Sequence, residues 1–261
     1  MRTLLHLSDI HFGRFDEKLR APLLEAVAQI RPDLVVVSGD LTQRARPAQF
    51  QEARRFLDQL PQPQITVPGN HDVPVYGRLS NYQRYITSDL HPFFGDEEIA
   101  ALGINTARAW IWKNGRVNRR QLERIRGHFQ SAPQGVAKIL VTHHPFDLPA
   151  HHGRRDLVVR ASRAMQTVAE SGIDLLLSGH FHVPHAGHTA LRYKSGGRAA
   201  IFVLAGTLSG RLRGEANSFN AIRIALPSIE VEHYSWTRGA FSRSETQRFV
   251  LGEGGWLRAE H

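Results

Sequence analysis

Five short apolar runs punctuate the first two thirds of the chain, and each ends in a polar cluster: LLHLSDIH, DLVVVSGD, QITVPGNHD, KILVTHHP and DLLLSGHFH. Runs of this length with little alternation are the pattern of strands buried on both faces. Between them lie helix-like stretches, DEKLRAPLLEAVAQI before Pro32, PAQFQEARRFLDQL before Pro61, and RASRAMQTVAESG with Gly172 as its stop. Strands that alternate with helices predict an α/β layered architecture. If the five strands share one mostly parallel sheet, their carboxyl ends gather along one edge, where open α/β sheets place their sites.

The texture changes after His182. ALRYKSGGRAAIFVLAGT suggests a hairpin around 195–197, and AIRIAL and IEVEHYSW suggest further strands. Over about 185–240 we expect a second, more antiparallel sheet in the same domain, so that residues 1–261 form one domain. Residues of about 73–100 fit the sheet rhythm poorly and are expected to cover the site as a cap or insertion. The start, MRTLLHLSDIHFG, has one early basic residue and an apolar stretch broken by His6 and Asp9, which predicts a first strand and not a signal peptide.

Composition narrows the chemistry. An apolar fraction of 41% and a charged fraction of 22%, without a run of about 18 apolar residues, exclude an integral membrane helix protein. The formal charge of +9 points to an anionic partner: a phosphate-bearing small molecule, a nucleic acid or an acidic membrane surface. Much of the excess is arginine on the polar faces of helices such as NRRQLERIRGHF. There is no cysteine, so any metal is held by His, Asp, Asn or Glu, and the expected compartment is the cytoplasm.

The polar ends of the five runs supply Asp9 and His11, Asp40, Asn70, His71 and Asp72, His143 and His144, and His180 and His182. Members of Asp-x-His and His-x-His pairs lie two residues apart, so on an extended chain both side chains face the same way and could close on one ion. Gly39, Gly69 and Gly179 precede these residues, as tight turns around a metal or phosphate require. Imidazole, carboxylate and amide oxygen together suit Mn, Fe or Zn better than Ca or Mg. The set is too large for one ion, and two bridged ions are a recurring device for phosphoester hydrolysis.

In that order, SDIHFG, SGDLT, PGNHD, THHP and SGHFH resemble the calcineurin-like metallophosphoesterase superfamily over about residues 3–183, closest in style to the bacterial class III cyclic-nucleotide phosphodiesterases. The resemblance implies an α/β/β/α sandwich of two mixed sheets flanked by helices. One metal would take Asp9, His11 and His182 and the other Asn70, His143 and His180, with Asp40 bridging them and a metal-bridging hydroxide attacking in line. His71 would face the phosphate as a catalytic group, as would the bridging Asp40, with Asn70 a substrate contact besides its metal, and Asp72 would orient the histidine network. An extended chain turns His144 away from His143, leaving it a satisfied or substrate-edge residue. Arg211 and Arg213, in AGTLSGRLRG, are candidate phosphate contacts. HHGRRD at 151–156 reads first as a solvated loop and second as a basic lining of the mouth.

The leading expectation is therefore a metal-dependent phosphodiesterase acting on a small diester, with cyclic AMP as the default. A UDP-diacylglucosamine-type hydrolase in peripheral contact with a membrane is the alternative, one that an apolar groove in the 73–100 segment would favour. A nuclease is a third reading, but no stretch interleaving basic and aromatic residues announces one. A non-catalytic interaction module is last, because no ligand of the motifs is missing. Oligomeric state is left open, a homodimer included.

Overall fold

A computed structural model describes residues 1–75, 77–193 and 198–259. The described strands are β1 (Arg2–Leu7), β2 (Leu34–Val37), β3 (Gln64–Thr66), β4 (Phe93–Gly95), β5 (Ile99–Gly103), β6 (Ala137–Val141), β7 (Leu175–Ser178), β8 (His185–His188), β9 (Ile201–Leu204), β10 (Ser218–Ala225), β11 (Ser228–Thr237), β12 (Ala240–Gly252) and β13 (Gly255–Arg258). The helices are α1 (Arg20–Ile30), α2 (Pro47–Leu57), α3 (Ser80–Tyr85), α4 (Arg119–Gln130) and α5 (Ala161–Glu170). Their ends follow local chemistry. Pro47 opens α2, Asn118 and Gln121 form a capping box at α4, and Gly172, at φ +63°, follows α5.

The strands form two sheets, ordered β13-β12-β11-β10-β1-β2-β3 and β4-β5-β6-β7-β9-β8. Both are mixed. β1, β2 and β3 are mutually parallel, as are β5, β6, β7 and β9, whereas β10 to β13 are antiparallel and β4 and β8 pair antiparallel at the edges.

Alternation along each buried strand explains the layers. Leu4, Val36, Ile139, Val141, Leu175 and Leu177 point into the space between the sheets. Leu5, Leu7, Val35 and Val37 point outward onto α1, α2 and α3, while Leu140 and Leu176 point outward onto α4 and α5. Both faces of each central strand are thus dry, and the result is an α/β/β/α sandwich.

The single sheet expected for the five apolar runs is corrected: β1, β2 and β3 lie in one sheet, β6 and β7 in the other. The separate antiparallel sheet expected over 185–240 is also corrected, because β8 and β9 extend the sheet of β6 and β7 whereas β10 and β11 extend that of β1. The sequence could not distinguish these arrangements, since a run buried on both faces looks the same in either sheet. Most of 73–100 is not a loose cover: α3 buries Tyr82 beside Phe50 of α2, and β4 and β5 start the second sheet. The hairpin expected at 195–197 falls outside the described residues. Among the described residues no helix is long and apolar enough to cross a membrane.

Candidate active site

Three motif loops leave the carboxyl ends of β1, β2 and β3, and two leave those of β6 and β7, so the polar clusters meet at the seam between the sheets. Backbone bonds sew them together: Asp9 N donates to Gly39 O (3.0 Å), His11 N to Asp40 O (2.9 Å) and Gly179 N to His143 O (3.2 Å). A side chain at Gly179 would overlap Ser8 and Asp9, and one at Gly69 would overlap Asp40.

Asp9, His11, Asp40, His180 and His182 all have left-handed backbones, with φ between +51° and +75°. The extended geometry expected to aim each pair is therefore corrected. Left-handed non-glycine residues are strained by about 1 kcal/mol or more each and persist where surrounding contacts determine them. The turn also separates the last pair: His182 joins Asp9 and His11, while His180 joins His143 and Asn70.

Proton accounting shows what the centre suits. His143 Nδ1 lies 2.8 Å from Ser38 O, His182 Nδ1 2.8 Å from Arg211 O, and His11 Nδ1 3.4 Å from Thr42 O. Carbonyls only accept, so each neutral ring carries its proton on Nδ1 and presents a bare Nε2. Those bare nitrogens face other acceptors. His11 Nε2 is 3.2 Å from His182 Nε2, and His143 Nε2 is 3.0 Å from Asn70 Oδ1. His180 Nδ1 is 3.0 Å from the same Asn70 oxygen. Asp40 Oδ2 lies 3.6 Å from His11 Nε2 and 3.5 Å from His143 Nε2. Asp9 Oδ1 is buried without a hydrogen-bond partner, 3.1 Å from His182 Nε2.

Lone pairs at these separations repel unless a positive charge lies among them. The electrostatics agree. Burial raises Asp9 and Asp40, yet the imidazoles, His182 first for Asp9 and His143 first for Asp40, hold both carboxyls well below their usual range. Burial lowers His143, but the Asp40 charge pushes it up to about 9. Burial likewise lowers His182, and Asp9 outweighs it, for a net rise. A field that would hold a proton there would hold a cation, and four groups of three His or Asp ligands fall within metal-binding reach of one another: Asp9, His11 and His182; Asp9, Asp40 and His143; His11, Asp40 and His71; and His143, His144 and His180. The donor set fits two transition-metal ions.

The remaining expected residues separate by position. His71 Nδ1 donates to Gln43 O (2.9 Å), and its Nε2 accepts from Arg211 Nη1 (2.8 Å). Burial, with help from His11 and Arg211 against the Asp40 charge, lowers its pKa. Asp72 touches no histidine; it accepts from the backbone N–H groups of Leu41 (3.1 Å), Thr42 (2.8 Å) and Gly69 (2.9 Å) and from the Thr42 hydroxyl (2.9 Å). Burial and the Asp40 charge push it up to about 6. Its expected role as orienter of the histidines is thus corrected to a clamp between two loops. His144 is wholly buried, not at a substrate edge, with Nδ1 2.8 Å from Thr106 Oγ1 and its ring 4.8 Å from that of His180.

A cleft of about 400 Å³ opens over Asp40, Asn70, His71, His180 and His182. Arg211 and Arg213 line it, and so do His152 and Asp156 of the 151–156 loop, which was expected first as a solvated loop. Trp112, Lys113 and Phe181 line it too and were not expected. The Trp112 ring meets His71 edge to face, 4.7 Å between centroids. A signal for it existed: ARAWIWKNGR at 107–116 does interleave aromatic and basic residues, contrary to the sequence-based expectation.

A family model described as calcineurin-like phosphoesterase matches residues 2–184. The chain is 41% identical over 80 residues to glycerophosphodiester phosphodiesterase GpdQ of Enterobacter lignolyticus, covering 26% of this chain and 29% of that protein. It is 28% identical over 200 residues to a protein of Rhodococcus erythropolis named probable cyclic nucleotide phosphodiesterase, covering 69% of this chain and 64% of the other. The chain thus spans less than two thirds of the length of either relative. In fold it resembles a dimetal phosphatase from Danio rerio, with a TM-score of 0.68, 14% identity and coverage of 96% of this chain and 99% of that one.

Proposed function

The chain belongs to the calcineurin-like phosphoesterase family, and from that premise and its site we propose that it is a dinuclear-metal phosphodiesterase acting on a small phosphodiester, a cyclic nucleotide such as cyclic AMP by default. One observation carries the reading: the Nε2 atoms of His11, His143 and His182, whose Nδ1 atoms face carbonyls, turn on one another and on Asp9, Asp40 and Asn70. In this reading Asp9, His11 and His182 hold one ion, Asn70, His143 and His180 hold the other, and Asp40 lies between them. Mn, Fe or Zn suits such donors, and two such ions supply Lewis acidity and a water of lowered pKa.

The chain's own groups do the rest. His71 Nε2 and Arg211 Nη1 sit together on the cleft wall, so the guanidinium neutralises a non-bridging phosphate oxygen while the imidazole exchanges a proton with the leaving oxygen. Gln43 O fixes the His71 ring so that Nε2 is the atom presented. Asp72 keeps the Asp40 and Asn70 loops in register. The names of the two relatives support a diester as the substrate class. The test is an activity screen with Mn, Fe or Zn over cyclic nucleotides, glycerophosphodiesters and bis(p-nitrophenyl) phosphate. Metal-dependent turnover of at least one diester is expected, with cyclic nucleotides among the best. No turnover with any metal, or hydrolysis of monoesters alone, would contradict it.

A further inference from the structure

The catalytic cleft does not end at the metal residues. Lys113 and Asp156 line it, and their chain neighbours Asn114, Arg154 and Arg155 line a second hollow of about 510 Å³. Arg160 and Arg163 complete its basic wall. Asn114 Nδ2 ties the two walls by donating to Arg155 O (2.6 Å) and Leu157 O (3.2 Å), so cleft and hollow share a built partition. Among the described residues no ion pair joins Arg154, Arg155, Arg160 or Arg163 to a carboxylate. Four unneutralised guanidinium groups around one hollow repel each other unless an anion joins them.

The ligand must be long as well as anionic, because the phosphate at the metal residues and the phosphates among the arginines would lie on either side of that partition. Aromatic faces narrow the class further. Trp112 lines the cleft at 38% exposure, and the half-buried Phe181 lines it beside His152, 4.8 Å between ring centroids. A basic track next to exposed aromatic rings is how proteins hold single-stranded nucleic acid, with phosphates on the cations and bases on the rings.

We propose that the cleft and the adjoining arginine hollow together bind single-stranded nucleic acid, with Trp112 stacking on a base and Arg154, Arg155 and Arg163 binding phosphates downstream of the scissile one. The inference goes beyond the small diester proposed above to a strand that extends past the metal residues, and it rests on the phosphodiesterase reading only for where that strand crosses them. Binding can be measured apart from hydrolysis, so failure of one is distinguishable from failure of the other. The probe is a fluorescently labelled, phosphorothioate thymidine strand of about twelve nucleotides, within the range of single-strand site sizes, titrated by anisotropy against the full metal-loaded chain at several salt concentrations.

Replacing Arg154, Arg155 and Arg163 together by Gln is expected to weaken binding about tenfold or more and to make the plot of log affinity against log salt less steep by about 2. Trp112→Ala is expected to weaken binding about tenfold while leaving that slope in place, the signature of a lost stacking contact. Vesicles of phosphatidylglycerol and phosphatidylcholine form the second arm. Binding to vesicles without binding to the strand, strand binding that both variants retain in full, or no binding at all would overturn the proposal.

Discussion

At the residue scale, the question that decides the chemistry is which nitrogen of each histidine is bare. Backbone carbonyls answer it for His143 and His182 at 2.8 Å, and no carbonyl could be foreseen from SGHFH or THHP. What was legible was the residue set itself: the same Asp, Asn and His side chains named from five motifs meet at one seam. The left-handed backbone was not legible, because it accompanies close approaches between loops distant in sequence, Gly179 to Ser8 and Asp9 and Gly69 to Asp40. His71 lies within reach of His11 and Asp40, but its Nε2 faces the cleft and accepts from Arg211 Nη1. His71→Ala should therefore lower kcat for a cleaved diester by roughly 10²- to 10⁴-fold, the usual contribution of a general acid or base, with metal content retained. Steady-state kinetics beside elemental analysis of the same preparation checks this, and loss of metal in step with activity would move His71 into the metal shell.

At the element scale, the loops are positioned by groups that touch no substrate. Asp72 gathers three backbone N–H groups and one hydroxyl from two loops. Asp72→Asn turns an amide against those donors and should cost about 2–3 kcal/mol in urea unfolding, the value of hydrogen bonds to a charged acceptor. His6 on β1 is wholly buried against Ser38 Oγ (3.0 Å), and burial, outweighing the pull of Asp9, pushes its imidazole down to about 3. Its folded pKa lies below its unfolded value of 6.5. Protons therefore bind the unfolded chain preferentially, and stability is lost as pH falls from about 6.5 toward 3, by up to about 1.4 kcal/mol per pH unit. His6→Gln should remove that share, so the gap between variant and wild type measured by urea unfolding at pH 7 should narrow or reverse by pH 5. A gap independent of pH would show that His6 does not titrate this way. Neither residue announced its task in the sequence: Asp72 looked like a partner for histidines, and His6 like one more polar interruption of a strand.

At the scale of the whole molecule, apolar runs and helix periods made the α/β layering legible, but not the division into two sheets, because sheet membership depends on long-range pairing such as β1 with β10. The C-terminal strands complete both sheets, and Trp256 of β13 reaches from the first sheet to Asp174 beside β7 of the second, Nε1 to Oδ1 at 2.8 Å. Trp256→Ala empties the shared core and should cost about 3–5 kcal/mol, whereas Trp256→Phe, which keeps a ring and loses the donor with part of the indole, should cost about 1–2 kcal/mol. Thermal and urea unfolding distinguish the two, and equal losses would place the effect in the hydrogen bond and not in the packing. The central claim, that opposed bare donors at the seam between the sheets form a centre for two metal ions that hydrolyse a phosphodiester, is tested most directly by metal stoichiometry and diester turnover measured together on wild type and Asp40→Asn. The account predicts two transition-metal ions per wild-type chain, and loss of both bound metal and most turnover in Asp40→Asn. Full turnover by a metal-free chain, or an Asp40→Asn variant that keeps both its metals and its turnover, would contradict it.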